Sequence, residues 1–163
     1  MRTTDLRRFL SLGAFLSALA ILACFCAAPP AAAADANLWL KGRSAPLFIK
    51  NIELLYADSS RPSGEVVIML GNPMAYEKHL LGAVDSIEFL EILGERRSNP
   101  VFKILLKMRN FGFPRTVILM PLRELRGTHE GRPWKMAVDF GRDNDDKAES
   151  LKEIKIVQPR ETL

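Results

Sequence analysis

His79 and His129 are the two histidines of the 163-residue chain, and each has a carboxylate beside it in sequence, Glu77 for the first and Glu130 for the second. Imidazole titrates near neutral pH, so either could serve as a general base with Glu77, Asp85 or Glu130 as its partner. That chemistry would suit a small exported hydrolase. The nucleophile is the weak point, because no serine stands in a glycine-flanked elbow and both cysteines, Cys24 and Cys26, fall in an N-terminal leader. With two histidines and no later cysteine, one chain cannot assemble a three-histidine or cysteine-ligated metal centre. Neither metal nor cofactor is expected.

Three other groupings carry chemical types. Asp139-Phe140-Gly141 copies the magnesium tripeptide of kinases, but no phosphate loop or catalytic loop accompanies it, so Phe140 reads as core and Gly141 as a turn. Asp143, Asp145, Asp146 and Glu149 approach calcium-loop spacing without the required glycine and distant glutamate, which makes them a solvated acidic loop. Lys103, Lys107 and Arg109 alternate along one side of a strand, with Arg115 across the next turn and Phe111 and Phe113 at its tip. This basic and aromatic surface could dock on an anionic membrane or an acidic envelope partner, each basic residue contributing about 1 kcal/mol near such a membrane. The alternative is that the lysines keep an edge strand from pairing.

The elements that would position these residues follow an export address. Arg2, Arg7 and Arg8 precede an uncharged apolar run that continues from Phe9 to Ala34, the pattern of a secretory signal helix. Pro29-Pro30 and the alanines after it favour cleavage over a retained anchor, and Ala32-Ala33-Ala34 or Ala34-Asp35-Ala36 supplies a small-x-small site. Ala34, Asp35 and Ala36 are therefore the cleavage candidates. A second route is open, since Ile21-Leu22-Ala23-Cys24 resembles a bacterial lipobox, in which Cys24 would carry the lipid anchor and the leader would be residues 1–23. Otherwise the leader is residues 1–34, and residues 35–163 form a single β-rich domain with a short polar tail.

Removing residues 1–34 leaves 20 basic and 18 acidic residues, so the net charge falls from +4 to +2. Much of the basic character belongs to the leader, and an exported chain would not meet nucleic acid. The remaining length suits one domain with a real core. It has no cysteine, so packing rather than disulfides must stabilise it.

Strands are expected at Leu47–Tyr56 and Val66–Leu70, the second a continuous apolar run covered on both faces, and the two are expected to pair. Asn72 as a cap and Pro73 at a first helical position predict one or two helical turns to Leu81. Residues 84–97 suit either helix or strand, with strand preferred. Phe102, Ile104, Leu106 and Met108 alternate with Lys103, Leu105 and Lys107, a period of two that demands a strand, and residues 116–122 return beside it. Arg123 to Pro133 reads as a connection, residues 134–140 as a strand and residues 153–157 as a short last one. About six or seven strands predict a mainly β fold, an antiparallel β-sandwich or open barrel with one short helix, or an α+β fold if residues 84–97 are helical.

The stretch from Pro46 to Pro73, with EVVIMLGNP running a hydrophobic strand into Asn-Pro, resembles the water-stress domain of late-embryogenesis-abundant proteins, and FPRTVILMPL resembles its closing strands. Met74 departs from that pattern, which has a second Asn there. The resemblance covers about half the chain and implies a non-catalytic seven-stranded sandwich. The reading that follows is an exported cell-envelope protein, periplasmic, extracellular or lipid-anchored to a membrane, whose β domain binds or scaffolds. A periplasmic hydrolase and a single-pass anchored subunit of an envelope complex are the alternatives.

Overall fold

A computed structural model describes residues 34–110, 112–138 and 150–157. The apolar leader with Cys24, Phe111, the segment 139–149 and the last six residues lie outside the described residues. The described chain is mainly antiparallel β, one sheet of ten strands curled into a half barrel. In chain order these are β1 (Ala34–Leu40), β2 (Leu47–Tyr56), β3 (Glu65–Leu70), β4 (Asn72–Leu80), β5 (Val84–Arg96), β6 (Asn99–Met108), β7 (Arg115–Leu119), β8 (Leu122–His129), β9 (Arg132–Ala137) and β10 (Leu151–Ile156). Their order across the sheet is β4-β3-β7-β6-β5-β10-β1-β2-β8-β9. The β class is as the patterning predicts, while the strand number is higher than expected.

Three strands account for the difference. Residues 34–40 alternate buried and half-buried, with Ala34, Ala36, Leu38 and Leu40 facing in; small alanines hide this in the sequence. The helical turn expected from Pro73 to Leu81 is instead β4, with a single 3-10 turn at Leu81–Ala83. Asn72 and Pro73 suit a strand start as well as a helix start. Residues 122–129 form β8 rather than a connection, and the ladder shift between Leu55 and Tyr56 places an extra residue there that breaks the period of two. Of residues 84–97, Val84–Arg96 are strand and Arg97 lies in the turn that follows, so the α+β alternative is set aside.

The β6 pattern is seen as predicted. Phe102, Ile104 and Leu106 are buried, and β7 pairs beside them from Lys103–Ile118 to Leu106–Arg115. The expected β2–β3 ladder is corrected: β2 pairs with β1 and β8, β3 with β4 and β7, and the backbone pairing between the two hairpin arms is reduced to an isolated Leu54–Ser63 bridge. The loop between them turns the chain from one wall of the curl to the other.

At that crossing Tyr56 replaces part of a ladder. Its phenol donates to Glu65 O at 2.9 Å and accepts the Val67 N–H at 3.0 Å. Beside it Met120 N–H donates to Val67 O, and Ala57 N–H donates to Pro121 O, as β7 leaves β3 for β8. Burial, the largest effect, pushes the Tyr56 phenol well above the ordinary tyrosine range, and the negative charge of Glu65 adds to it. The raised pKa means this contribution is complete below about pH 10, the ordinary phenol value, and is lost as pH climbs through the folded value. Alkaline titration followed by phenolate absorbance should show Tyr56 ionising only with unfolding. Tyr56→Phe should destabilise the domain by about 2 kcal/mol in urea, since it strands the buried Val67 N–H.

The β2–β8 ladder has a second tight point. A Cβ at Gly127 would meet Ile49 Cγ2 at 2.4 Å and Lys50 O at 2.7 Å, one of them rigid backbone. Gly127→Ala should therefore cost about 1–3 kcal/mol of unfolding free energy, measured by the same urea transition.

Candidate functional site

The strand faces sort the sequence-predicted residues into two groups. Antiparallel partners point to the same side. Lys103 and Lys107 lie on the outer side of β6, opposite in parity to buried Ile104 and Leu106. Arg115 faces Leu106 across the β6–β7 ladder and so belongs to the inner side. The structure therefore brings Lys103, Lys107 and Arg109 together on β6 and the turn after it, and separates Arg115 from them. Phe113 is 88% exposed at the β6–β7 turn, and Phe111 lies outside the described residues.

The outer face is mixed in charge rather than basic. Lys103 Nζ is 3.4 Å from Glu91, and Lys107 Nζ is 2.8 Å from Asp85. Asp85 is the extra residue where the β5–β6 ladder shifts between Val84 and Ser86, an irregularity that sequence patterning does not reveal. The hydrogen bond from Lys107 holds the Asp85 carboxyl below its usual range against a desolvation penalty, with help from the charges of Lys107 itself, Lys155 and Arg109. The same contact raises the Lys107 ammonium. Arg109 donates its main-chain N–H to Ala83 O at 2.9 Å, while its Nε and Nη2 are buried without hydrogen-bond partners.

The inner end of the curl holds the other group. Val66–His79 and Ile68–Glu77 are ladder pairs, so Glu77 and His79 project on the same side as the buried Val66 and Ile68. Arg115 Nη2 reaches both oxygens of Glu77 at 3.4 Å, and His79 Nε2 lies 2.8 Å from Glu77 Oε1. The last contact is close but poorly aligned, and Nε2 is buried without a directed hydrogen bond. With Met108 and Phe113 these residues line a cavity of about 150 Å³. Met108, Phe113 and Arg115 are the members that patterning did not join to His79. Only the turn between β6 and β7, legible as Asn110 to Pro114, pointed to their neighbourhood.

His129 has a different task. Its Nδ1 lies 3.0 Å from Phe48 O, and since a carbonyl only accepts, Nδ1 carries the proton and donates. The ring thus clips the end of β8 to the start of β2, and Nε2 is 3.9 Å from Glu130. The histidines stand on β4, one edge of the strand order, and on β8, next to the other edge strand β9. Asp85, on the outer face with Lys107, is not joined to either. Among the described residues no three of His, Cys, Asp and Glu gather as a metal site, and no helix is long and apolar enough to cross a membrane.

No protein family, curated protein or solved structure matches the chain.

Lowering pH should return Asp85 to its neutral form only below the ordinary carboxylate pKa. Its share of stability is therefore present above about pH 4 and lost as pH falls through the depressed folded value. In an NMR titration, Lys107→Ala should move the Asp85 midpoint upward toward that ordinary value; an unmoved midpoint would contradict the assignment.

Proposed function

We propose that this is an exported bacterial cell-envelope protein whose β domain binds or scaffolds a partner rather than catalysing a reaction. The observation carrying the non-catalytic part is the state of Glu77 and His79. Both Glu77 oxygens are already engaged by Arg115, and the cavity of about 150 Å³ is about half the lower end, roughly 300 Å³, of small-molecule sites. The residues lining it are Glu77, His79, Met108, Phe113 and Arg115, with no hydroxyl or thiol nucleophile among them. Export is supported by the leader pattern. The resemblance to the water-stress domain agrees with a non-catalytic β module. The envelope partner would be a protein or an anionic membrane surface, met by the face around Lys103, Lys107 and Arg109 with Phe113 at the neighbouring turn.

The second reading, a periplasmic hydrolase, draws on the 2.8 Å approach of His79 to Glu77. A water activated by His79 would then replace the missing nucleophile. Purified wild-type protein and His79→Ala should behave alike, within assay error, on ester and phosphoester substrates. A rate above background that falls at least tenfold in His79→Ala would favour the enzyme. Expressed with its leader in a Gram-negative bacterium, the protein should fractionate with the periplasm or membranes. Recovery of the full-length chain from the soluble cell interior would end the export reading.

A further inference from the structure

A second cavity opens on the other side of β3 and β4. Val67–Lys78 and Met69–Tyr76 are ladder pairs, so Tyr76 and Lys78 project opposite to Glu77 and His79. Asp58, Ser59 and Ser63, from the loop between β2 and β3, border the same space, which measures about 270 Å³. We propose that this cavity binds one sugar unit of a neutral glycan. It draws neither on export nor on the Glu77–His79 cavity.

The lining is of two kinds. Val67 and Met120 supply apolar surface. The Tyr56 phenol already donates to Glu65 O and accepts from Val67 N–H, so it is a fixed wall with no hydrogen bond left to offer. Tyr76 is different: it stands 55% exposed on the edge strand β4. Lys78 Nζ lies over its ring, 5.8 Å from the centre, a cation–π distance that orients it. A pyranose has an apolar C–H face, and the electron-rich face of an aromatic ring is the surface that such hydrogens stack on.

The polar groups around that ring match hydroxyls and not ions. Glu65 is 3.3 Å from Lys78, while Asp58 is ion-paired with Arg97 and lies 4.0 Å from Arg96. Each carboxylate thus has a cation, and no unbalanced field draws in a charged ligand. A paired carboxylate still has lone pairs to accept with, and a sugar hydroxyl both donates and accepts. Its donors would be Lys78 and two hydroxyls, those of Tyr76 and Ser63, which have no hydrogen-bond partner among the described residues. Ser63 meanwhile is anchored through its main chain, which exchanges two hydrogen bonds of 2.9 Å with Leu54. Groups held in place before binding lose little freedom when a ligand arrives. The volume lies just under the roughly 300 Å³ at which small-molecule sites begin, so one ring fills it and the rest of an oligosaccharide stays outside.

The test is an NMR titration of the isotope-labelled protein, purified from the bacterium expressing it, with maltotriose, cellotriose and chitotriose. Trigalacturonic acid and the chitosan trimer serve as anionic and cationic probes. At least one neutral trisaccharide should shift the amide signals of Ser63, Glu65 and Tyr76–Lys78 with a dissociation constant of about 1 mM or tighter. Tyr76→Ala should weaken that binding at least tenfold, and Tyr76→Phe, which keeps the ring, should retain most of it. Ser63→Ala leaves the main-chain bridge to Leu54 intact and should weaken binding as well. Unmoved signals with all three neutral sugars at about 10 mM, ten times that constant, overturn the inference. Tighter binding of either charged trimer, or full affinity in Tyr76→Ala, also overturns it. None of these results bears on export, which fractionation reads separately.

Discussion

A lone sheet has no second layer to cover its apolar side, so it makes a core only by bending until its own walls meet. Everything buried in this domain depends on that bend. It is held where β2, β3, β7 and β8 converge, and the phenol of Tyr56 supplies there the donor and acceptor that β7 withdraws as it turns away. Val66, Val67 and Ile68 are consequently all buried, one strand touching apolar material on both sides. The unbroken hydrophobic run of β3 is the sequence-level trace of this enclosure.

The curl also sets the electrostatics. Residues that share a basic character in sequence meet different partners once the inner and outer sides are defined. On the outside, Lys103 and Lys107 find carboxylates and form solvated pairs of the kind that add little to stability. Toward the inner end, Arg115, as exposed as Lys107, and the less exposed His79 converge on a single carboxylate. Glu77 there faces a guanidinium and an imidazole at once. A group already committed in this way is a better structural plug, or a recognition element, than a base awaiting a substrate.

How far the chain could be read follows from what each strand asks of its residues. β6 was plain because large apolar and charged residues alternate without interruption from Phe102 to Lys107. β1 was obscured because its inward positions include Ala34 and Ala36, residues that read equally as processing signals. β4 resembles a helix in sequence because its inward positions include Glu77 and His79, which leave no apolar alternation to see. In β8 an extra residue shifts the phase after Leu122. For the site, the nearness of His79 and Glu77 in sequence is legible, but their sharing one side requires the strand β4, since in a helix residues two apart do not face each other. The arrival of Arg115 was not legible, since it depends on long-range register past the end of β3.

The adjacency of β1 and β10 has a consequence for the order of events during synthesis. The first strand of the domain occupies the interior of the sheet, and one of its two neighbours is made from Leu151–Ile156. Its slot has no far wall until Leu151–Ile156 have been made. Contacts of such long sequence separation form slowly, so β1 stays uncommitted at least until β10 has emerged. Topology alone thereby delays commitment to a native shape, a property useful to any protein that must pass through a narrow channel before it folds.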